Sequence, residues 1–437
     1  MALKNCPLAT SSFASEVIQH KTAPRFDPTV TLAGTSLTIG WIEQVLKNVN
    51  GSKSTLIDWS ADIIGVGQGF CSHIFRVKLT WHGDDADNHN LPASVIVKVP
   101  TMTKIIDGMD EVAKDGHMTS MTDEDRGKMG ELWLPYAHMN ETVSLTFLNG
   151  IHDEQLAVPK LYFSQEYRND KPGHGCLIME DVVRGTPPNI VEGMSEAQLL
   201  QAAHTLASIH AASMDEDEKL SKLNSMPAEF FDSFATMVEG AAEQFHMMAP
   251  DFGFDELIPK VKWIFQAETL IAIMGYPEKK NLPKVLTHGD LWGSNLLVKK
   301  DEHGKPTGDL LSIIDWQTAH AGFVAEDFGR MLVTSTTGEL RRQQTDNILR
   351  AYFDDLQKNL AKRGKNCSLT FETIKDAYDF NFPYAVAFSI MMIPMLLMSP
   401  LFVDESGKPA AHCVHAIMLR AKLAMEDVIE LRRLGRC

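Results

Sequence analysis

Cysteine is scarce in this chain. The six cysteines, Cys6, Cys71, Cys176, Cys367, Cys413 and Cys437, are scattered and form no C-x-x-C pair. In a chain of 437 residues that spread argues against a disulfide framework or a zinc site, and suits reduced thiols in a cytoplasmic protein. Positive charge is also short. Lys and Arg number 41 against 57 Asp and Glu, for a net charge of −16. A general nucleic-acid binder needs basic surface, so nucleic acid is not an expected partner, whereas a small anion held locally is still allowed. The stretch up to Val30 has no continuous apolar signal core, and the final L-G-R-C is not a prenylation box. No internal repeat or low-complexity tract occurs. The one long uncharged run, Phe380 to Val403, is interrupted by Asn381, Pro383, Pro394 and Pro400. We read it as buried core helix rather than a membrane span, and expect no membrane partner.

What remains is ordinary globular material, 44% apolar and 22% charged, enough for two lobes around a cleft. Residues 1–54 read as an arm followed by a helix, Ile39 to Val49, closed by Asn50-Gly51. A β-rich lobe follows over 55–180, with strands at Trp59–Ile64, His73–Trp81, Ser94–Val99, Val158–Phe163 and Gly175–Met179. It holds a helix at Tyr136–Leu148 and an insertion or loop at about 103–128. From 181 to 437 the pattern is mainly helical. Ser195 to Ala212 begins with a capping box, Ser195 with Gln198. Further helices are expected at Ala228–Met247, Pro259–Met274, Gly338–Arg363 and Cys413–Arg433. Strands first and helices after give an α+β fold.

The chemistry concentrates in Val285 to Trp316. An apolar run leads into His288-Gly289-Asp290, Asn295 follows in the pattern H-x-D-x-x-x-x-N, and a second strand, Leu310 to Ile314, ends on Asp315. Phosphoryl transfer asks a protein for positioning and charge neutralisation rather than covalent chemistry. An aspartate can orient or accept a hydroxyl proton, and an amide oxygen with a second carboxylate can hold Mg²⁺. Each residue also has a plainer reading. Asp290 and Asn295 are typical turn formers, Asp315 could cap a strand, and His288 reads as a structural histidine bonded to backbone carbonyls. Gly65, Gly67 and Gly69 lie in a turn between two strands. That context fits a phosphate cover and does not fit the strand-to-helix dinucleotide fingerprint. The G-x-x-x-x-G-K-[ST] loop is absent. Lys98 sits in an apolar strand, either outward with its amine in water or turned inward and paired. The helical Glu141 is an available partner that would aim the amine at phosphates. His210 reads as a packed histidine. Asp327, in A-E-D-F-G-R, reads as fold-stabilising because Asp315 already holds the strand-end place.

H-G-D-L-W-G-S-N-L-L, I-I-D-W-Q-T-A-H and L-I-M-E-D-V, in that order of weight, resemble the choline-kinase/aminoglycoside-phosphotransferase group. They resemble more closely the ecdysteroid-kinase-like (choline-kinase-like) small-molecule kinases, over roughly residues 55–400. The resemblance implies a bilobal protein-kinase-like fold with ATP and Mg²⁺ as cofactors. It implies Asp290 as catalytic base, Asn295 and Asp315 as metal ligands, and Lys98 with Glu141 as phosphate anchor. It implies adenine received by the backbone from Met179 to Val182, Glu180 included. The chain departs from protein kinases at Gly289, Trp316, Gln317 and Phe70, and lacks A-P-E. The expected acceptor is therefore a hydroxyl of a small molecule, of steroid, glucoside or amino-alcohol type. The competing readings are a nucleotide-binding scaffold without catalysis and a protein kinase.

Overall fold

In the computed structural model of the chain, the described residues are 26–65, 72–82, 90–101, 123–153, 156–167, 175–226, 228–399, 402–404 and 407–437. By their contacts they fall into two units, with the division reached at Pro135 inside one long helix.

The first unit starts at α1, Ile39–Asn50. The Thr38 hydroxyl caps it by accepting the Trp41 amide at 3.2 Å, and Gly51 closes it with φ 64°. That left-handed cap suits glycine because no Cβ meets the following carbonyl. Ile39, Ile42, Val45 and Leu46 are buried together, as helical spacing requires. Five strands follow: β1 (Thr55–Ile64), β2 (Ser72–His82), β3 (Ser94–Pro100), then β4 (Leu161–Gln165) and β5 (Cys176–Glu180), separated from β3 by the long helix α2 (Asp123–Asn149). They form one antiparallel sheet in the order β1-β2-β3-β5-β4. Val95, Val97 and Val99 of the central strand face a core that includes Ile39, Ile42, Trp59 and Phe75. Trp41 packs edge-on against Phe163, with centroids 5.1 Å apart. Alternation along β3 places Ile96 and Lys98 on the other face of the sheet.

The second unit holds the C-terminal half of α2 and everything from Val182 onward. Its elements are β6 (Gly185–Thr186), α3 (Glu196–Ser213), α4 (Ala228–Glu243), α5 (Phe254–Val261), α6 (Ala267–Met274), β7 (Val285–Thr287), β8 (Leu296–Lys300), β9 (Pro306–Ile313), β10 (His320–Gly322), α7 (Glu326–Ser335), α8 (Gly338–Lys362), α9 (Phe371–Leu397) and α10 (Ala411–Arg433). Both halves of the capping box form at α3: the Ser195 hydroxyl accepts the Gln198 amide, and the Gln198 side chain accepts the Ser195 amide at 2.9 Å. Strands β6, β8 and β9 make a small antiparallel sheet, and β7 pairs with β10. The fold is α+β, a β-sheet region followed by a largely helical one, as the sequence pattern indicates.

Three elements differ from expectation. The helix expected at Ala228–Met247 ends at Glu243, and a separate short helix spans Phe245–Met248. Helix α2 begins at Asp123, well before Tyr136, with Pro135 inside it rather than at its start. Residues 123–134 carry helix formers but no apolar stripe, so periodicity gave no signal there. The helix expected at Pro259–Met274 is broken into α5, a 3₁₀ turn (Lys262–Phe265) and α6. Helix α9 is, among the described residues, the one helix long and apolar enough to cross a membrane, and half of its most apolar window is buried within the protein. Its Pro383 and Pro394 are carried inside the helix. Phe388 packs on Phe234 and Tyr384 at 5.4 and 6.4 Å.

Candidate active site

The loop after β7 is held from below by one helix. Asp327, in the first turn of α7, is fully buried, and its carboxylate accepts the His288 amide at 2.8 Å and the Gly289 amide at 3.0 Å. Burial raises its pKa, and the two amides and His288 oppose that rise. One turn on, Arg330 reaches Asp290: its Nη2 lies 2.8 Å and its Nε 3.2 Å from Oδ1. Further along, the Ser335 hydroxyl accepts the Gly293 amide at 2.7 Å. Residues three to four apart share a helix face, so α7 presents a row of partners to the whole loop.

The histidine is structural, as its sequence context suggests. Nδ1 accepts the Asp290 amide at 3.2 Å, which leaves the proton on Nε2, bonded to the Ile314 carbonyl at 2.9 Å. Its ring lies against Trp316, 4.6 Å between centroids, and the Trp316 indole donates to the Ile313 carbonyl at 3.1 Å. Gly289 explains why arginine is not tolerated at the middle of this motif. Its φ is 80°, and a Cβ there would lie 2.5 Å from the Thr318 carbonyl oxygen. Beside it, His320 bonds the Thr318 carbonyl through Nδ1 and Glu326 through Nε2. Burial disfavours its charge, but Glu326, the Thr318 carbonyl and Asp327 outweigh burial and hold its pKa up to about 9.

Above this sealed base the side chains open out. Asp290 is 26% exposed, whereas Arg330 behind it is 6% exposed. The guanidinium lies 3.5 Å from the Phe388 ring centroid. Asn295 is buried, and its amide nitrogen donates to the Asp290 carbonyl at 2.8 Å and to Oδ2 at 3.2 Å. The Ile314 amide donates to the Asn295 carbonyl at 2.9 Å, so Asp315 follows directly on a strand end tied to Asn295. Asp315 itself has φ 67°, a left-handed conformation that aspartate tolerates better than most residues and that is common at functional sites. The structure thus gathers Asp290, Asn295 and Asp315 at one end of the β8–β9 pair. An amide oxygen and a carboxylate are hard oxygen donors that fit Mg²⁺, which characteristically takes only one or two protein ligands beside phosphate and water. Among the described residues no group of three or more His, Cys, Asp or Glu is arranged to hold a metal ion.

The remaining sequence candidates are distributed over both units. Lys98 is 6% exposed on the central strand β3, opposite Ile74 and Leu177, so it is not an outward edge lysine. Gly65 directly follows β1 with φ 67°. Gly67 and Gly69 lie outside the described residues. Glu141 is buried on α2 in the second unit. Glu180 pairs with Val95 in the sheet and is exposed, and the Val182 carbonyl accepts the Gly185 amide at 2.8 Å. Asp181, between them, binds Arg76 at 2.8 and 3.1 Å and Ser94 at 2.6 Å. His210 is fully buried and bonded to the Tyr352 hydroxyl at 2.8 Å, with its pKa pushed down by burial to about 3.

A family described as "Uncharacterized oxidoreductase dhs-27" (DUF1679) matches residues 27–434. The chain belongs to this family. A Caenorhabditis elegans protein carrying that same description is 26% identical over 401 residues, covering 91% of this chain and 47% of its own length. The chain thus spans about half the length of that relative. Another Caenorhabditis elegans protein, described as an uncharacterized kinase-like protein, is 22% identical over 340 residues, covering 78% of this chain and 83% of its own. Among solved structures, a supposed aminoglycoside phosphotransferase from Ralstonia eutropha aligns with a TM-score of 0.45 at 15% identity, over 90% of this chain and 97% of that one.

Proposed function

We propose that the chain is an ATP- and Mg²⁺-dependent phosphotransferase acting on a hydroxyl of a small molecule. The observation that carries this reading is Asp290: its carboxylate is fixed by Arg330 and Asn295 yet partly open to solvent, on a loop whose His288 and Asn295 are buried. Asp290 Oδ2 would accept the hydroxyl proton of the acceptor as the acceptor oxygen bonds to the γ-phosphorus and the bond from that phosphorus to the bridging oxygen breaks, releasing ADP. The Arg330 ion pair fixes the direction of the carboxylate. That suits a transition state in which the acceptor needs orientation more than early deprotonation. Asn295 and Asp315 would hold the Mg²⁺, which offsets charge on the phosphate oxygens. Lys98 and Glu141 would anchor the phosphates, Gly65, Gly67 and Gly69 would cover them, and the backbone around Glu180 and Val182 would receive adenine. The sequence resemblance to ecdysteroid-kinase-like proteins and the kinase-like relative support the same reading.

The word "oxidoreductase" attaches to a relative about twice as long. Every strand pair among the described residues is antiparallel, so they offer no parallel βαβ unit of the dinucleotide-binding kind.

A nucleotide-binding scaffold without catalysis is the competing reading. The two separate in a thermal-shift titration. A phosphotransferase gains stability from ATP only with Mg²⁺, and Asp315→Asn removes the Mg²⁺ dependence. ATP stabilisation that ignores Mg²⁺, with no turnover on any acceptor, would favour the scaffold.

A further inference from the structure

Helix α9 carries an apolar stripe that its own core does not use up. Tyr384, Phe388, Met391, Met395 and, at the C-cap, Met398 are spaced four, three, four and three apart, so they share one face. Tyr384, Phe388 and Met391 are partly exposed, and Met395 and Met398 are 41% and 53% exposed. The core is met by the opposite side of the helix, where Phe382, Val386, Ile390 and Ile393 are buried. From Phe388 to Met398 the stripe is about 15 Å long, at 1.5 Å for each helical residue. Exposed apolar residues that adjoin, unlike ones scattered singly, mark binding surfaces.

The near end of the stripe is tied to the loop of the proposed chemistry. The Phe388 ring centroid lies 3.5 Å from the guanidinium of Arg330, which holds Asp290 at 2.8 Å. Along the flank of the stripe, Met392 and Leu396 line a narrow cleft together with Trp292, two residues beyond Asp290, and Ile417. The cleft has a volume of about 20 Å³, close to the room of a single water or methylene.

Its chemistry says what can lie there. Among the described residues no carboxylate lines the cleft, and no charged residue occurs from Phe380 to Val403. The two guanidiniums on it are engaged, Arg330 with Asp290 and Arg420 with the carbonyls of Thr334 at 2.6 Å and Ile190 at 3.1 Å. An ammonium group would find no counter-charge, and a sugar would meet only the hydroxyls of Thr334 and Ser389. A slender hydrocarbon loses no hydrogen bond in such surroundings, and unbranched methionines adapt to its shape.

We propose that the acceptor is an alcohol with a slender, uncharged hydrocarbon body, whose hydroxyl lies at Asp290 and whose chain runs along Phe388, Met391, Met395 and Met398. The inference rests on the phosphotransferase reading above. In the transfer the acceptor oxygen bonds to the γ-phosphorus, the bond from that phosphorus to the bridging oxygen breaks and releases ADP, and the hydroxyl proton passes to Asp290.

The test is transfer of label from γ-labelled ATP to unbranched primary alcohols from butanol to decanol, by the wild type and by Met395→Asp. A one-sided contact gives about half the gain of full burial, so kcat/KM should rise about two-fold for each methylene that reaches the stripe. Met395→Asp should flatten the upper part of that series. Wild-type crystals soaked with 10-bromo-1-decanol supply a second measurement that needs no turnover, and a bromine anomalous peak against Met391, Met395 or Met398 is expected. Transfer to alcohols with no dependence on chain length would overturn this inference and leave the phosphotransferase reading intact. Bromine on the stripe with no transfer to any alcohol would overturn that reading and sustain the stripe as a hydrocarbon site. A dimer that Met395→Asp dissolves, or binding to phosphatidylcholine vesicles that it abolishes, would give the stripe another occupant and overturn the proposal.

Discussion

The base and the rim of the 288–295 loop are built from the same residue types and do different things. At the base, Asp327 is fully buried and accepts two backbone amides. At the rim, Asp290 is partly exposed and is held by side chains, Arg330 and Asn295. A carboxylate used up by amides shapes the chain, and one fixed by side chains but open on a side can meet a ligand. Arg330 and Asp327 come from one helix, so the shaping and the aiming share a single support. The contrast assigns Asp327 to structure and proposes Asp290 for chemistry, and substitutions can separate the two.

The largest expected effect is at the rim. Asp290→Asn keeps an oxygen for Arg330 but cannot take a proton, so phosphorylation of an acceptor should fall by roughly 10²–10⁴-fold. Nucleotide-dependent stabilisation should persist. Unchanged turnover would remove Asp290 from the chemistry.

At the base the effects are on folding. Gly289→Ala combines a positive φ with a backbone contact at 2.5 Å that cannot relax alone. A loss of about 3 kcal/mol is expected by denaturant unfolding, and a loss below about 1 kcal/mol would mean that the loop adapts. Asp327→Ala strands two buried amides and should cost about 2–3 kcal/mol. If it destabilised little and lowered turnover as much as Asp290→Asn, the contrast would fail.

The pH dependence is an effect spread over a window rather than felt at one condition. The folded pKa of His320, about 9, lies above its ordinary 6.5, so its stabilisation is complete below about pH 6.5 and disappears as pH rises through 9. Stability should fall by roughly 3 kcal/mol across that window through this group, and His320→Gln should flatten the slope. A wild-type profile with no fall between pH 6.5 and 9.5 would show that the Glu326 pairing does not hold the proton.

Local chemistry made much of this legible from sequence. Ser195 with Gln198 and Gly51 announce helix ends because a cap is a contact between near neighbours. The H-x-D-x-x-x-x-N spacing announces the loop for the same reason. His288 could be read as structural, and the structure uses both of its ring nitrogens for backbone. Arg330 was missed. Its partner is Asp290, far away along the chain, and its one signal was its place a turn beyond Asp327 on the same helix face. The meaning of Gly289 was half legible. Its departure from arginine showed in the sequence, but the Thr318 carbonyl that forbids any side chain did not. Lys98 was ambiguous until β3 proved to be the central strand of the sheet, a matter of strand order that residue pattern does not encode. The Arg76–Asp181–Ser94 cluster was likewise hidden, since its three members come from different strands or their ends.

The most direct test of the proposed chemistry is a small-metabolite extract incubated with the protein, Mg²⁺ and γ-labelled ATP, run beside Asp290→Asn. New phosphate esters are identified by mass spectrometry. The account predicts a labelled ester of a hydroxylated small molecule that requires Mg²⁺ and is missing with Asp290→Asn. Equal label with both proteins, or label confined to polypeptide, would contradict it.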